Sequence, residues 1–116
     1  MSERQSPIFT KTYDFILWLL NHTEQFPKSE RFRLAKRTED CAFNFYERIV
    51  EATRSRNPRA VLLDADLELD KLRLYLRLCH ARKLTNADQY KYAAGILVEI
   101  GKLIGGWLKS VESKPV

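Results

Sequence analysis

Apolar residues recur along this chain at intervals of three and four, the spacing that lines one side of an α-helix, and no stretch shows the alternation of a strand. Three short interruptions divide the pattern into four. The first stretch opens at Pro7, where a proline suits an initial helical turn, and runs to about Glu24 before "QFPKS" breaks it. The second covers about 28–54. Asn57 followed by Pro58 supplies a capping residue and a first-turn proline, so the third helix is predicted over 58–82. Thr85 with Asp88 three residues on resembles a capping box, with Asp where Glu or Gln is usual, and the fourth helix is predicted over 86–109. Residues 110–116 read as a frayed tail. Connections this short make consecutive helices antiparallel. The predicted fold is all-α, an up-down-up-down four-helix bundle in one domain over 1–116.

At about 100° per residue each helix acquires faces. On the second, Phe32, Ala35, Ala42, Tyr46, Ile49 and Thr53 form a stripe that Leu34, Cys41, Phe45 and Ala52 widen. On the fourth, Tyr90, Ala93, Leu97, Ile100, Ile104, Trp107 and Leu108 face the expected core. Beside them Ala94, Gly101 and Gly105 form a track of small residues that would let a neighbouring helix come close. The third helix is unusual. Leu62, Ala65, Leu69, Leu72, Leu76 and Cys79 suffice for the bundle core, yet Leu67, Leu74, Leu78 and Ala81 form a second stripe about 180° away. A wide contact inside one bundle could use that stripe, but contact with another subunit explains it better, because a contiguous exposed strip of leucines favours association.

Length and composition agree with an ordered, helix-rich domain: 116 residues, 45% hydrophobic and 30% charged, with 4 Gly and 4 Pro. Cys41 and Cys79 fall on apolar helical positions and are expected to be buried thiols in a reducing compartment. Residues 1–6 carry no signal-peptide pattern, and "FILWLL" is far short of a membrane span, so a cytoplasmic chain with no membrane partner is expected. Catalytic equipment is missing. His22 and His80 have no partner at metal-ligand spacing, there is no Gly-rich phosphate loop, and the Glu-x-x-His pairs of di-iron bundles are absent. The expectation is a protein without enzymatic activity, metal or cofactor.

Charge is more informative. The chain carries +5 and has a pI near 9.4, which suits an anionic partner or simply keeps the protein soluble. Up-down topology gathers Lys28, Arg31, Arg33, Lys36, Arg37, Lys71, Arg73, Arg77, Arg82, Lys83 and Lys91 toward one pole, against Glu24, Glu30, Glu39, Asp40 and Asp88. Eleven cations against five carboxylates leave +6 there and −1 for the rest of the chain. The cluster at the start of the second helix opposes the helix dipole, so local helix energetics do not account for it. A phosphate backbone does. Arg73 and Arg77, spaced i and i+4, would present a pair of guanidinium forks to phosphate or carboxylate, or pair within the helix with Asp70 and Asp66.

Four segments in order, "YDFILWLLNHTEQFPKSERF" (13–32), "ADLELDKLRLYLRL" (65–78), "QYKYAA" (89–94) and "EIGKLIGGWLKS" (99–110), together with Phe26-Pro27-Lys28 and Gly105-Gly106-Trp107, resemble Avd, the accessory variability determinant of diversity-generating retroelements. The likeness covers about 9–110. Avd is similar in turn to four-helix-bundle proteins encoded in intervening sequences of 23S rRNA genes, and that group is the alternative. The resemblance implies a non-enzymatic partner of a reverse transcriptase in mutagenic retrohoming. It also implies a basic, barrel-like homopentamer that binds reverse transcriptase and nucleic acid, RNA or DNA, with little sequence preference.

Overall fold

Pro7 begins the first of four long helices in the computed structural model, which describes residues 6–112. They are α1 (Pro7–Thr23), α2 (Lys36–Ala52), α3 (Pro58–Ala81) and α4 (Ala87–Glu112), and no described residue forms a strand. Helices α2 and α3 share the broadest contact, α4 packs on α3, and α1 closes the bundle between α2 and α4. The molecule measures 50 × 24 × 24 Å, so the helix ends form two well-separated poles.

The core follows the helical stripes. Phe15 and Leu19 of α1, Ala42, Phe45 and Ile49 of α2, Leu62, Leu69, Leu72 and Leu76 of α3, and Leu97, Ile100 and Ile104 of α4 are buried together. Burying each large side chain contributes roughly 1.5–3 kcal/mol relative to leaving it in water. Cys41 and Cys79 are buried free thiols. Burial pushes the Cys41 thiol up to about 11, with the Glu68 carboxylate adding to the shift.

Helix ends depart from expectation in instructive ways. Asn57 Oδ1 accepts from the Ala60 amide at 3.4 Å, capping α3 as its sequence predicts. The cap of α4 lies one residue later than Thr85. Asn86 Oδ1 accepts from the Gln89 amide at 2.8 Å, and Gln89 Oε1 accepts from the Asn86 amide at 2.9 Å, a reciprocal capping box that leaves Asp88 out. Thr85 is instead buried, its hydroxyl 2.8 Å from His22 Nε2. Helix α3 closes with Lys83 at φ 64°, the left-handed position usually given to glycine. The Lys83 amide donates to His80 O at 3.0 Å and the Leu84 amide to Cys79 O at 2.9 Å, satisfying two end carbonyls. Helix α4 continues past Lys109, because Val111 packs on the core and Glu112 accepts from Arg59 at 3.0 Å. The remainder of the expected tail, 113–116, lies outside the described residues.

The largest departure is at the start of the second helix, which regular geometry reaches only at Lys36. A tight 3₁₀ turn at Lys28–Glu30 leads into a wide π-type turn at Arg31–Ala35, and Arg33 leaves helical geometry at φ −109°, ψ −107°. The expected stripe assumed unbroken rotation from Phe32 to Ala35. Resetting the register at Arg33 buries Ala35 and turns Phe32 out to 80% exposure.

Candidate nucleic-acid interface

The pole formed by the end of α1, the start of α2, the end of α3 and the start of α4 is held by polar contacts between distant segments. Glu30 anchors it. Its side chain is 5% exposed, and its Oε2 lies 3.2 Å from Arg82 Nη2 and 3.7 Å from Arg33 Nη1. A carboxylate this buried needs both cations, since a charge removed from water is costly unless paired. Nearby, the buried His22 ring stacks on Trp18 at 4.9 Å and meets Phe26 edge-on. Burial holds its pKa below the ordinary imidazole value. His80 lies on the surface, stacked on Tyr90 at 4.9 Å with Nδ1 3.0 Å from Thr85 O. Thr85 thus joins both imidazoles, one through its hydroxyl and the other through its carbonyl. No group of three metal-ligating side chains occurs among the described residues.

Most of the expected basic cluster does gather here. Arg33 and Arg82 are tied to Glu30, and Lys36 is paired with Asp40 at 2.8 Å. Lys28, Arg31, Arg37, Arg77, Lys83 and Lys91 are exposed and make no ion pair among the described residues. Arg31 also lines a cleft of about 380 Å³ with Asn21, Glu24, Phe26 and Glu39, where the Glu39 carboxylate accepts from the Thr23 hydroxyl.

Lys71 and Arg73 do not belong to the pole. Lys71 pairs with Glu68 at 2.9 Å, and Glu68 also accepts from Asn44, at the waist of the bundle. Arg73 Nη1 donates to Asp70 at 2.8 Å, and its fork lies against Leu97 and Gly101 midway along α4. The i, i+4 pair is therefore split: Arg73 is engaged within the molecule, while Arg77 stands open beside Tyr90, Ala94 and Val98. Gly101 accommodates that guanidinium, and Gly105 has nothing within 4 Å of where its Cβ would be, so the small-residue track admits a side chain and not a helix.

Two apolar strips remain uncovered on a single chain. The second stripe of α3 is exposed as expected, with Leu67 at 55% and Leu74, Leu78 and Ala81 also open, joined by Leu63. The other was not anticipated: Tyr13, Leu17 and Leu20 of α1 and Phe43 of α2 border an open groove of about 380 Å³.

A family model described as bAvd-like matches residues 7–111. The chain belongs to the bAvd-like family. Among solved structures, this bAvd-like chain is similar to a protein of unknown function from the S23 ribosomal protein family of Bacteroides thetaiotaomicron. The two share 21% identity over 88% of this chain and 98% of the other, with a TM-score of 0.78. At that identity the likeness establishes the four-helix fold. No curated protein matches the sequence. No helix of the bAvd-like chain, among its described residues, is long and apolar enough to cross a membrane.

Sequence reasoning puts Phe32 in the core stripe and counts Glu30 at this pole without seeing that it is buried and paired there. In "SERFRLA" the aromatic reads as part of an amphipathic stripe and Glu30 as one of five carboxylates set against the pole's cations. Neither carries a local signal, because both assignments depend on where the helix register breaks.

Proposed function

We propose that this chain is a non-enzymatic nucleic-acid adaptor, an accessory protein of a diversity-generating retroelement working beside its reverse transcriptase in the cytoplasm. The observation that carries the reading is the division among the pole's cations. Three are paired internally, Arg33 and Arg82 sharing Glu30 and Lys36 taking Asp40, while six (Lys28, Arg31, Arg37, Arg77, Lys83 and Lys91) make no ion pair among the described residues. Exposed cations crowded on one end repel each other, and phosphate relieves that repulsion while releasing condensed counterions. Arginine forks and lysines used this way contact backbone and carry no base information, so binding is largely sequence-independent. Family membership supports the accessory role, and the resemblance to Avd supplies the reverse transcriptase as protein partner.

Assembly is the second part of the proposal. Leu67, Leu74, Leu78 and Ala81 form the contact with a neighbouring copy, and the α1–α2 groove offers an unlike apolar surface on the same chain. Two dissimilar strips suit head-to-tail association, which closes into a ring when the rotation permits, and the resemblance points to a homopentamer. A ring would repeat the basic pole around one rim.

The test is a titration of purified protein against unstructured RNA and duplex DNA at about 50 and about 200 mM salt. Six phosphate contacts predict an affinity loss on the order of a thousand-fold for duplex DNA and of a few hundred-fold for single-stranded RNA across that range. Binding that ignores salt, or no binding at either concentration, would reduce the protein to a scaffold.

A further inference from the structure

Phe32 is an 80% exposed aromatic residue on a turn whose other exposed side chains are Arg31 and Arg33. Arg31 and Arg33 flank it, Lys28 precedes it by four residues, and the nearest apolar neighbour in sequence, Leu34, is partly buried. The turn is not a loose loop from which the ring could fold back. The Glu30 amide donates to Pro27 O at 2.9 Å, the Arg31 amide donates to Lys28 O, and the buried Glu30 carboxylate fastens the turn to Arg82 at the end of α3. The break in helix geometry at Arg33 is what separates Phe32 from the apolar face that its spacing would otherwise join. The chain therefore holds a flat apolar ring in water, on a fixed support, among exposed cations.

A protein partner would normally meet an apolar patch, but Phe32 has no exposed apolar companion on its turn; the uncovered strips of α3 and of the α1–α2 groove lie on other elements. An aromatic face among cations matches a different chemistry. Bases of a single strand expose their π-faces and stack on aromatic side chains while the backbone phosphates meet neighbouring positive charge. A duplex keeps those faces covered. We propose that Phe32 is a stacking platform for an unpaired base of single-stranded nucleic acid, with Arg31 and Lys28 on the adjoining phosphates. This rests on the reading of the basic pole as a nucleic-acid surface and adds to it a preference for single strands.

The experiment compares the full chain with Phe32→Ala and Phe32→Trp. Each is titrated with a labelled unstructured 20-nucleotide single strand and with a duplex of the same length, with melting temperature and oligomeric mass measured alongside. Losing one stacked base predicts that Phe32→Ala weakens single-strand binding by roughly ten-fold. Duplex binding, the salt slope, melting temperature and mass should stay unchanged, and Phe32→Trp should retain single-strand affinity. Equal loss on single strand and duplex, or no loss on either, overturns the stacking role while leaving the basic pole standing. A change of oligomeric mass in Phe32→Ala overturns it in favour of a protein contact. Failure of the parent protein to bind any nucleic acid removes the pole's function and the stacking role together.

Discussion

The guanidinium of Arg73 occupies the space that a side chain at position 101 would need: a Cβ on Gly101 would stand 2.5 Å from Arg73 Nη2. Because the obstacle is the tip of a flexible side chain, Gly101→Ala would displace the fork rather than the helix. It forfeits part of the gain of about 1 kcal/mol that alanine brings to a helix interior. Gly105→Ala meets nothing and should realise that gain in full. Chemical denaturation of the two variants checks the order, and a more stable Gly101→Ala would contradict it.

The same contact separates Arg73 from Arg77. Arg73→Ala should cost up to about 1 kcal/mol of stability, as expected for a partly exposed pair, and leave nucleic-acid affinity unchanged. Arg77→Ala should do the reverse, weakening binding with an unchanged denaturation midpoint. Identical behaviour of the two would restore them to one functional pair.

Lys83 holds a left-handed backbone conformation that an L side chain pays for by about 1–2 kcal/mol and that glycine adopts freely. Lys83→Gly should therefore raise stability by about 1 kcal/mol while reducing binding and lowering its salt slope by roughly one contact. Stability gained with binding intact would show that the ammonium group takes no part in the interface.

Burial disfavours the charged form of the His22 ring, so its folded pKa lies below that of the unfolded chain. The contribution is fully present above pH ~6.5 and is lost as pH falls from there toward the depressed folded value, because only the unfolded chain then binds the proton. Between about pH 7 and about pH 5, the parent's melting temperature should fall more steeply than that of His22→Gln, in which the titrating ring is gone. Parallel slopes would count against burial as the cause.

Leu74 is open to solvent in the single chain, so Leu74→Glu should alter the stability of an isolated bundle by no more than about 0.5 kcal/mol. In an assembled protein it would place a carboxylate in an apolar contact. Light scattering should show smaller particles than the parent, and a parent that is already monomeric at micromolar concentration would end the assembly proposal.

Much of this molecule is legible in its sequence. Pro7 and the Asn57–Pro58 pair carry their own start signals, and the core stripe of α3 from Leu62 to Cys79 is buried as its spacing requires. Where legibility fails, the cause is tertiary. A 100° wheel cannot anticipate the break at Arg33, because Glu30 is drawn into the bundle by Arg82, 52 residues away in the chain. Thr85 looks like a cap until His22 claims its hydroxyl, and the role passes to Asn86 with Gln89. Charge is legible at the ends of helices and less so along them. Lys71 and Arg73 fall at the waist because a 24-residue helix is long enough for its later half to span both waist and pole.

The central claim is that one pole of the bundle is the nucleic-acid surface, and charge reversal at matched positions tests it most directly. Lys28, Arg31 and Arg37 replaced together by Glu alter the proposed interface. Arg54, Arg56 and Lys109, exposed cations at the far pole without ion pairs among the described residues, give the same change in net charge elsewhere. Measured by fluorescence anisotropy on one unstructured RNA at one salt concentration, the first triple variant should lose binding and the second should keep most of it. Equal loss from both would mean that net charge alone attracts the RNA and that the pole has no special role.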